Sequence, residues 1–193
     1  MATSNVAIAN RALQKLGAKR IESLTQDHPN ARSMNVAFAP VRDAELRRYR
    51  WSFAIKRATL AADSSQTEWG DWNRFTLPAD YLYLIRDDET GQAVDWRIES
   101  DADGTYIITA DSAPLYIRYV ARIEDPNFYD PLFIEALACK LAVETCEEIK
   151  QSTSKKESLK ADYDFAISEA RRVAAIEKPS HAFPEDDWLN ARL

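Results

Sequence analysis

The sequence predicts an α+β fold: an antiparallel helical bundle of about four main helices, an inserted antiparallel β-meander and an extended C-terminal tail. Three observations carry this expectation. Apolar residues recur at helical spacing up to Arg50 and again from Asp130. Between Trp51 and Arg122 they alternate with a period of two, the mark of strands with one buried face. Past Lys178 the chain reads PSHAFPEDDWLNARL, with two prolines and no period. The expected organisation is a bundle built from residues 1–50 and 128–178, a β-rich insertion over 51–127 in the same domain, and a C-terminal arm over 179–193.

Each element has its own signals. Ser4 is placed to cap a first helix whose apolar residues are Val6, Ala9, Leu13 and Leu16, and Gly17 ends it. After the loop AKRIESLTQDHPN, Pro29 starts a second helix with Met34, Ala37, Phe38, Val41 and Ala44 on its inner face. Pro40 lies inside that pattern and is expected to kink or split the helix. Trp51, Phe53 and Ile55 then alternate with Ser52, Ala54 and Lys56, which predicts a strand. Phe75 and Leu77 lead into LPADYLYLIR; Val94, Trp96 and Ile98 alternate, SDADG turns, TYIIT returns, ADSAP turns again, and Leu115, Ile117 and Tyr119 share a face in LYIRYVAR.

Asp130–Pro131 is an N-cap and first-turn proline. In the helix they open, Ile134, Leu137, Leu141 and Ile149 line one face, widened by Cys139, Ala142 and Cys146. QSTS separates it from a last long helix, for which Ser154 and Glu157 read as a capping box. Leu159, Tyr163, Ala166, Ile167, Ala170, Val173 and Ala174 form its apolar stripe.

Composition narrows the function. A chain of 193 residues, 46% hydrophobic and 29% charged, reads as one globular domain able to bury a real core. The net charge of −6 and pI near 5.1 weigh against a general nucleic-acid binder. The opening residues lack the pattern of a secretory signal, and no apolar run is long enough to cross a membrane. The protein is expected to be made in a cytoplasm and either kept there or packaged from it. Cys139 and Cys146, seven residues apart on one helix, are separated by about 10 Å of rise and are expected to be buried thiols rather than a disulfide. No zinc-ligand spacing is present.

One stretch raises a sharper question. RWSFAIKRATLA closes a run that holds Arg42, Arg47, Arg48, Arg50, Lys56 and Arg57 against only Asp43 and Glu45. Cations interleaved with Trp51 and Phe53 are what a groove for single-stranded nucleic acid uses. The period-two reading instead turns the aromatics inward and leaves most arginines on the outer face of the preceding helix. The run reads as core plus solvated face.

A search for catalysis yields little. The glycines are scattered, so no phosphate-cradling loop is present, and there is no G-x-S-x-G elbow. Carboxylates cluster at Asp87–Asp88–Glu89, Glu124–Asp125, Glu147–Glu148 and Glu185–Asp186–Asp187. These are contiguous groups in turns, on a wet helix face or in the tail, whereas a glycosidase sets two carboxylates across a cleft. The expectation is a protein that is not an enzyme and takes no cofactor or metal. Its tail offers Trp188–Leu189 as an interface anchor or as a latch over its own bundle.

Five motifs occur in order: ANRALQKLGAKRIESLTQ, RDAELRRYRWSFAIKRATLA, FTLPADYL, LYIRYVARIEDPNFYDPLFIEALACKLA and a terminal WLNAR. Together they resemble the phage head-to-tail adaptor family, often called tail tubular protein A in short-tailed phages. The resemblance spans nearly the whole chain. It implies a structural virion protein at the head–tail junction, assembled in the bacterial host cytoplasm. Such a protein forms a ring, usually of twelve copies, below the portal protein and above the next tail component, a nozzle or tail tube protein. Genomic DNA passes through the lumen without specific binding, and no membrane is involved. On this chain the portal-binding arm would use Phe183, Trp188, Leu189, Arg192 and Leu193, and Arg47, Arg48, Arg50, Lys56 and Arg57 would serve contacts between copies. Two other readings remain open: a virion-associated carbohydrate hydrolase using surface carboxylates, and a DNA-contacting head-completion protein.

Overall fold

In a computed structural model, residues 3–63, 72–85 and 95–177 are described. Two helix pairs enclose the chain's β region. Helix α1 spans Asn5–Leu16 and α2 spans Pro29–Arg48; six strands follow, β1 Ile55–Leu60, β2 Asn73–Thr76, β3 Tyr81–Ile85, β4 Trp96–Ser100, β5 Thr105–Thr109 and β6 Leu115–Ala121; α3 Pro131–Lys150 and α4 Thr153–Ile176 complete it. The fold is α+β, as the periodicities require.

Local chemistry sets most of the boundaries. The Ser4 hydroxyl accepts from the Ala7 amide at 3.1 Å, and Gly17 closes α1 at φ +64°, a left-handed turn that glycine takes without a Cβ penalty. Asp130 accepts from the amides of Leu132 and Phe133 to open α3 at Pro131. Helix α4 begins earlier than its S-x-x-E pattern predicts. Its cap is Ser152, whose hydroxyl accepts from the Lys155 amide, while Ser154 lies within the first turn and Glu157 is exposed.

Helix α2 runs unsplit through Pro40. The missing proline N–H would have bonded the carbonyl of Val36, and both residues face solvent, so water can take that carbonyl. Its inner face holds Met34, Phe38 and Val41 as expected, but Ala44 is exposed. Arg42, Glu45 and Leu46 are buried in its place. The alternation at Trp51–Ile55 does not make a strand. Residues Ser52–Ala54 form a 3-10 turn, and β1 starts at Ile55. Trp51 is 1% exposed, with its indole N–H donating to the Glu45 carbonyl at 2.9 Å. That bond and the packing of its ring override the strand periodicity.

The strands are antiparallel throughout and divide between two three-stranded sheets, ordered β1-β6-β3 and β2-β5-β4. β1 pairs with the last strand, Ile55 opposite Val120, so the β region closes on itself where it enters and leaves the bundle. Aromatic rings seal that junction: the Trp51 ring lies 5.0 Å from both Tyr49 and Phe133, and Phe133 lies 5.2 Å from Tyr129. In the bundle α3 is central, touching α1, α2 and α4, and Phe133, Leu137 and Leu141 are wholly buried. Cys139 and Cys146 are buried free thiols. No described helix is long and apolar enough to cross a membrane.

Candidate interaction site

The basic run from Arg42 to Arg57 leaves α2, crosses the aromatic junction and enters β1. Arg42 is buried, with its guanidinium 2.8 Å from Asp43, and Asp43 also holds Arg122 at 2.9 Å. Arg47 donates to the Leu82 carbonyl in β3. Arg48 donates to the Tyr163 hydroxyl at 2.7 Å, and that hydroxyl donates to the buried Glu45 carboxylate at 2.8 Å. Burial, followed by the hydrogen bond to Glu45, pushes Tyr163 far above the ordinary phenol range. Arg50 is half-buried and also engaged within the chain. Arg57 is exposed and stands opposite Arg118 in the β1–β6 ladder.

Lys56 belongs to a tighter constellation. Its ammonium lies 2.7 Å from Asp80 Oδ2, while the Tyr119 hydroxyl donates to Asp80 Oδ1 at 2.9 Å. The Asp80 backbone carbonyl accepts from the Arg122 amide. Burial alone would raise the Asp80 carboxyl, but the hydrogen bonds from Lys56 and Tyr119 and the Lys56 charge hold it below its ordinary value. The same contact acts oppositely on Tyr119. Burial, and then donation to a carboxylate, push that phenol up to about 12.

Of the five cations expected to meet neighbouring copies, Arg47, Arg48, Arg50 and Lys56 thus hold partners within their own chain. Their roles are not visible in sequence because the partners lie up to 115 residues away. The proposed arm residues Phe183, Trp188, Leu189, Arg192 and Leu193 lie outside the described residues, as do Val94 and the carboxylate groups at 87–89 and 185–187. Among the described residues, no group of three or more His, Cys, Asp or Glu is placed to hold a metal ion.

Two surface grooves accompany this region. One, of about 450 Å³, lies between the sheets and is lined by Arg47, Tyr81, Tyr83, Trp96, Ile98 and Ser100 among others. The other, of about 360 Å³, lies on the bundle, where Lys15, Glu135, Asp162 and Glu169 surround Cys139 and the exposed Phe165. Lys15 and Arg11 both pair with Glu135, at 2.6 and 3.1 Å. Burial raises the Cys139 thiol against the lowering charge of Lys15.

Three of the separated motifs therefore meet in space. Trp51 packs on Phe133, Lys56 pairs with Asp80, Tyr119 joins that pair, and Asp43 holds Arg122. In the first motif, Asn10 exchanges two 2.8 Å hydrogen bonds with the backbone of Ile21. The chain matches no family model and no curated protein.

Proposed function

We propose that this chain is a head-to-tail connector of a bacteriophage, a structural protein that works by binding. Copies would form a ring, with twelve the expected number, joining the portal protein to the next tail component and continuing the DNA channel. One observation supports this above the rest: three of the five motifs that carry the resemblance converge on a single junction between the bundle and the β region. Residues spread over 90 positions, from Asp43 to Phe133, brace one another there, as expected of a scaffold that must keep its shape under load. In this reading the side chains build a rigid body, and surface complementarity does the work.

Light scattering tests it. The purified chain is weighed alone and mixed with the portal ring of the same phage. A chain that joins the ring in near-equal copy number, with no salt-dependent retention on DNA, supports the connector. A chain that ignores the portal overturns it and returns weight to the hydrolase and DNA-contact readings.

A further inference from the structure

We propose that the groove between the two sheets is the seat of this chain's own C-terminal segment, residues 183–189, before assembly. The inference goes beyond the connector reading and does not require it.

The shape of the groove suits an extended segment. Consecutive residues Tyr81, Leu82, Tyr83 and Leu84 line one wall, so β3 presents its edge. Alternate residues Trp96, Ile98 and Ser100 line the other, so β4 presents a face. β3 has β6 as its only sheet neighbour among the described residues, so its second edge has no described strand beside it, and the Leu82 carbonyl of β3 is held by Arg47. An added segment can run along such an edge while its side chains fill the facing pockets.

Charge selects the occupant. The groove's one charged lining side chain is Arg47, among aromatic and aliphatic groups. The segment FPEDDWL carries three carboxylates between Phe183 and Trp188. The bundle groove offers the wrong sign: Glu135, Asp162 and Glu169 outnumber Lys15 there.

Position allows the reach. The Arg171 guanidinium stands 5.7 Å over the Tyr49 ring, so the last turns of α4 run beside the end of α2, two residues from Arg47. Helix α4 ends at Ile176. The twelve residues from Glu177 to Trp188 can extend over about 40 Å, long enough for the chain to double back toward the end of α2 and the groove beside Arg47. Seated there, the aromatic anchors are withheld from other copies until a better site competes for them.

Disulfide trapping in the full chain tests the proposal, since both native cysteines are buried. Asn190→Cys is paired with Ser100→Cys at the groove mouth, and in a control with Phe165→Cys on the bundle groove. A monomeric cross-link forming about tenfold faster in the first pair, the mark of a raised local concentration, supports the seat. Equal rates, or a cross-linked dimer, overturn it. Arg47→Glu should slow trapping, and adding Glu185→Lys, Asp186→Lys and Asp187→Lys should restore it; restoration separates lost charge pairing from a damaged fold, and its absence counts against the seat. Portal binding is measured separately, so a failed latch and a failed connector are told apart.

Discussion

Asp80 ties β3, β1 and β6 together through one carboxylate, which accepts from Lys56 and Tyr119 on opposite oxygens. Asp80→Asn keeps the shape but loses the charge, and is expected to cost about 1–2 kcal/mol in urea unfolding, the scale of a charged hydrogen bond reduced by the solvent exposure of Lys56. The pH dependence has two sides. A carboxyl held below its ordinary value binds protons less readily when folded, so its contribution is present above the unfolded value and lost as pH falls through the folded one. Tyr119 is shifted the other way, from 10 to about 12, so its contribution is intact below pH 10 and lost between 10 and 12. Asp80→Asn should therefore flatten the acid side of the stability profile and move the Tyr119 titration back toward 10, as followed by tyrosinate absorbance. An unchanged profile would mean that the constellation is ornamental. The sequence places Asp80 in LPADYL but not beside Lys56, 24 positions earlier, or Tyr119, 39 later. Pairings of that separation are fixed by strand register, which local patterns do not encode.

At the scale of elements, caps and periodicities are legible wherever the cause is local. Ser4, Gly17, Pro29 and Asp130 mark helix ends because a side-chain acceptor, a missing Cβ or a preset φ acts within three residues. The misplaced elements have tertiary causes. Ser52–Ala54 turns because the Trp51 indole is pulled under α2 to the Glu45 carbonyl, and Glu45 is buried because Tyr163 of α4 donates to it. Two expectations follow for this layer. Trp51→Ala should cost about 3–5 kcal/mol, as for other fully buried aromatics, by opening the junction where Tyr49, Phe53 and Phe133 meet. Tyr163→Phe removes only a hydroxyl, yet should cost about 1–3 kcal/mol by depriving a buried carboxylate of a donor. Denaturant midpoints decide both. A neutral Tyr163→Phe would show that Arg48, 3.6 Å from the same oxygen, suffices alone.

Across the whole molecule the charge is divided unevenly. Residues 1–50 hold nine Lys and Arg against four Asp and Glu, residues 51–127 hold seven against fourteen, and residues 128–193 hold nine against thirteen. The net −6 therefore conceals a basic N-terminal helix pair joined to an acidic β region. Such a polarity favours the side of one copy meeting a different side of the next, a heterologous contact that closes into rings when the rotation allows. In a connector, the loop between α1 and α2, where Lys19 and Arg20 are exposed, would face acidic turns of its neighbour such as the exposed Asp103 and Asp111. Lys19→Glu with Arg20→Glu is then expected to abolish lateral assembly on the portal while leaving thermal unfolding of the free chain unchanged, because neither side chain is buried. Assembly of the native chain should weaken as salt rises and the Debye length shrinks from about 10 Å at 0.1 M to 3 Å at 1 M. Sedimentation of portal mixtures at both salts separates this from a contact made of apolar surface. An apolar contact would hold or tighten in salt, and the charge-reversed variant would then assemble as the native chain does.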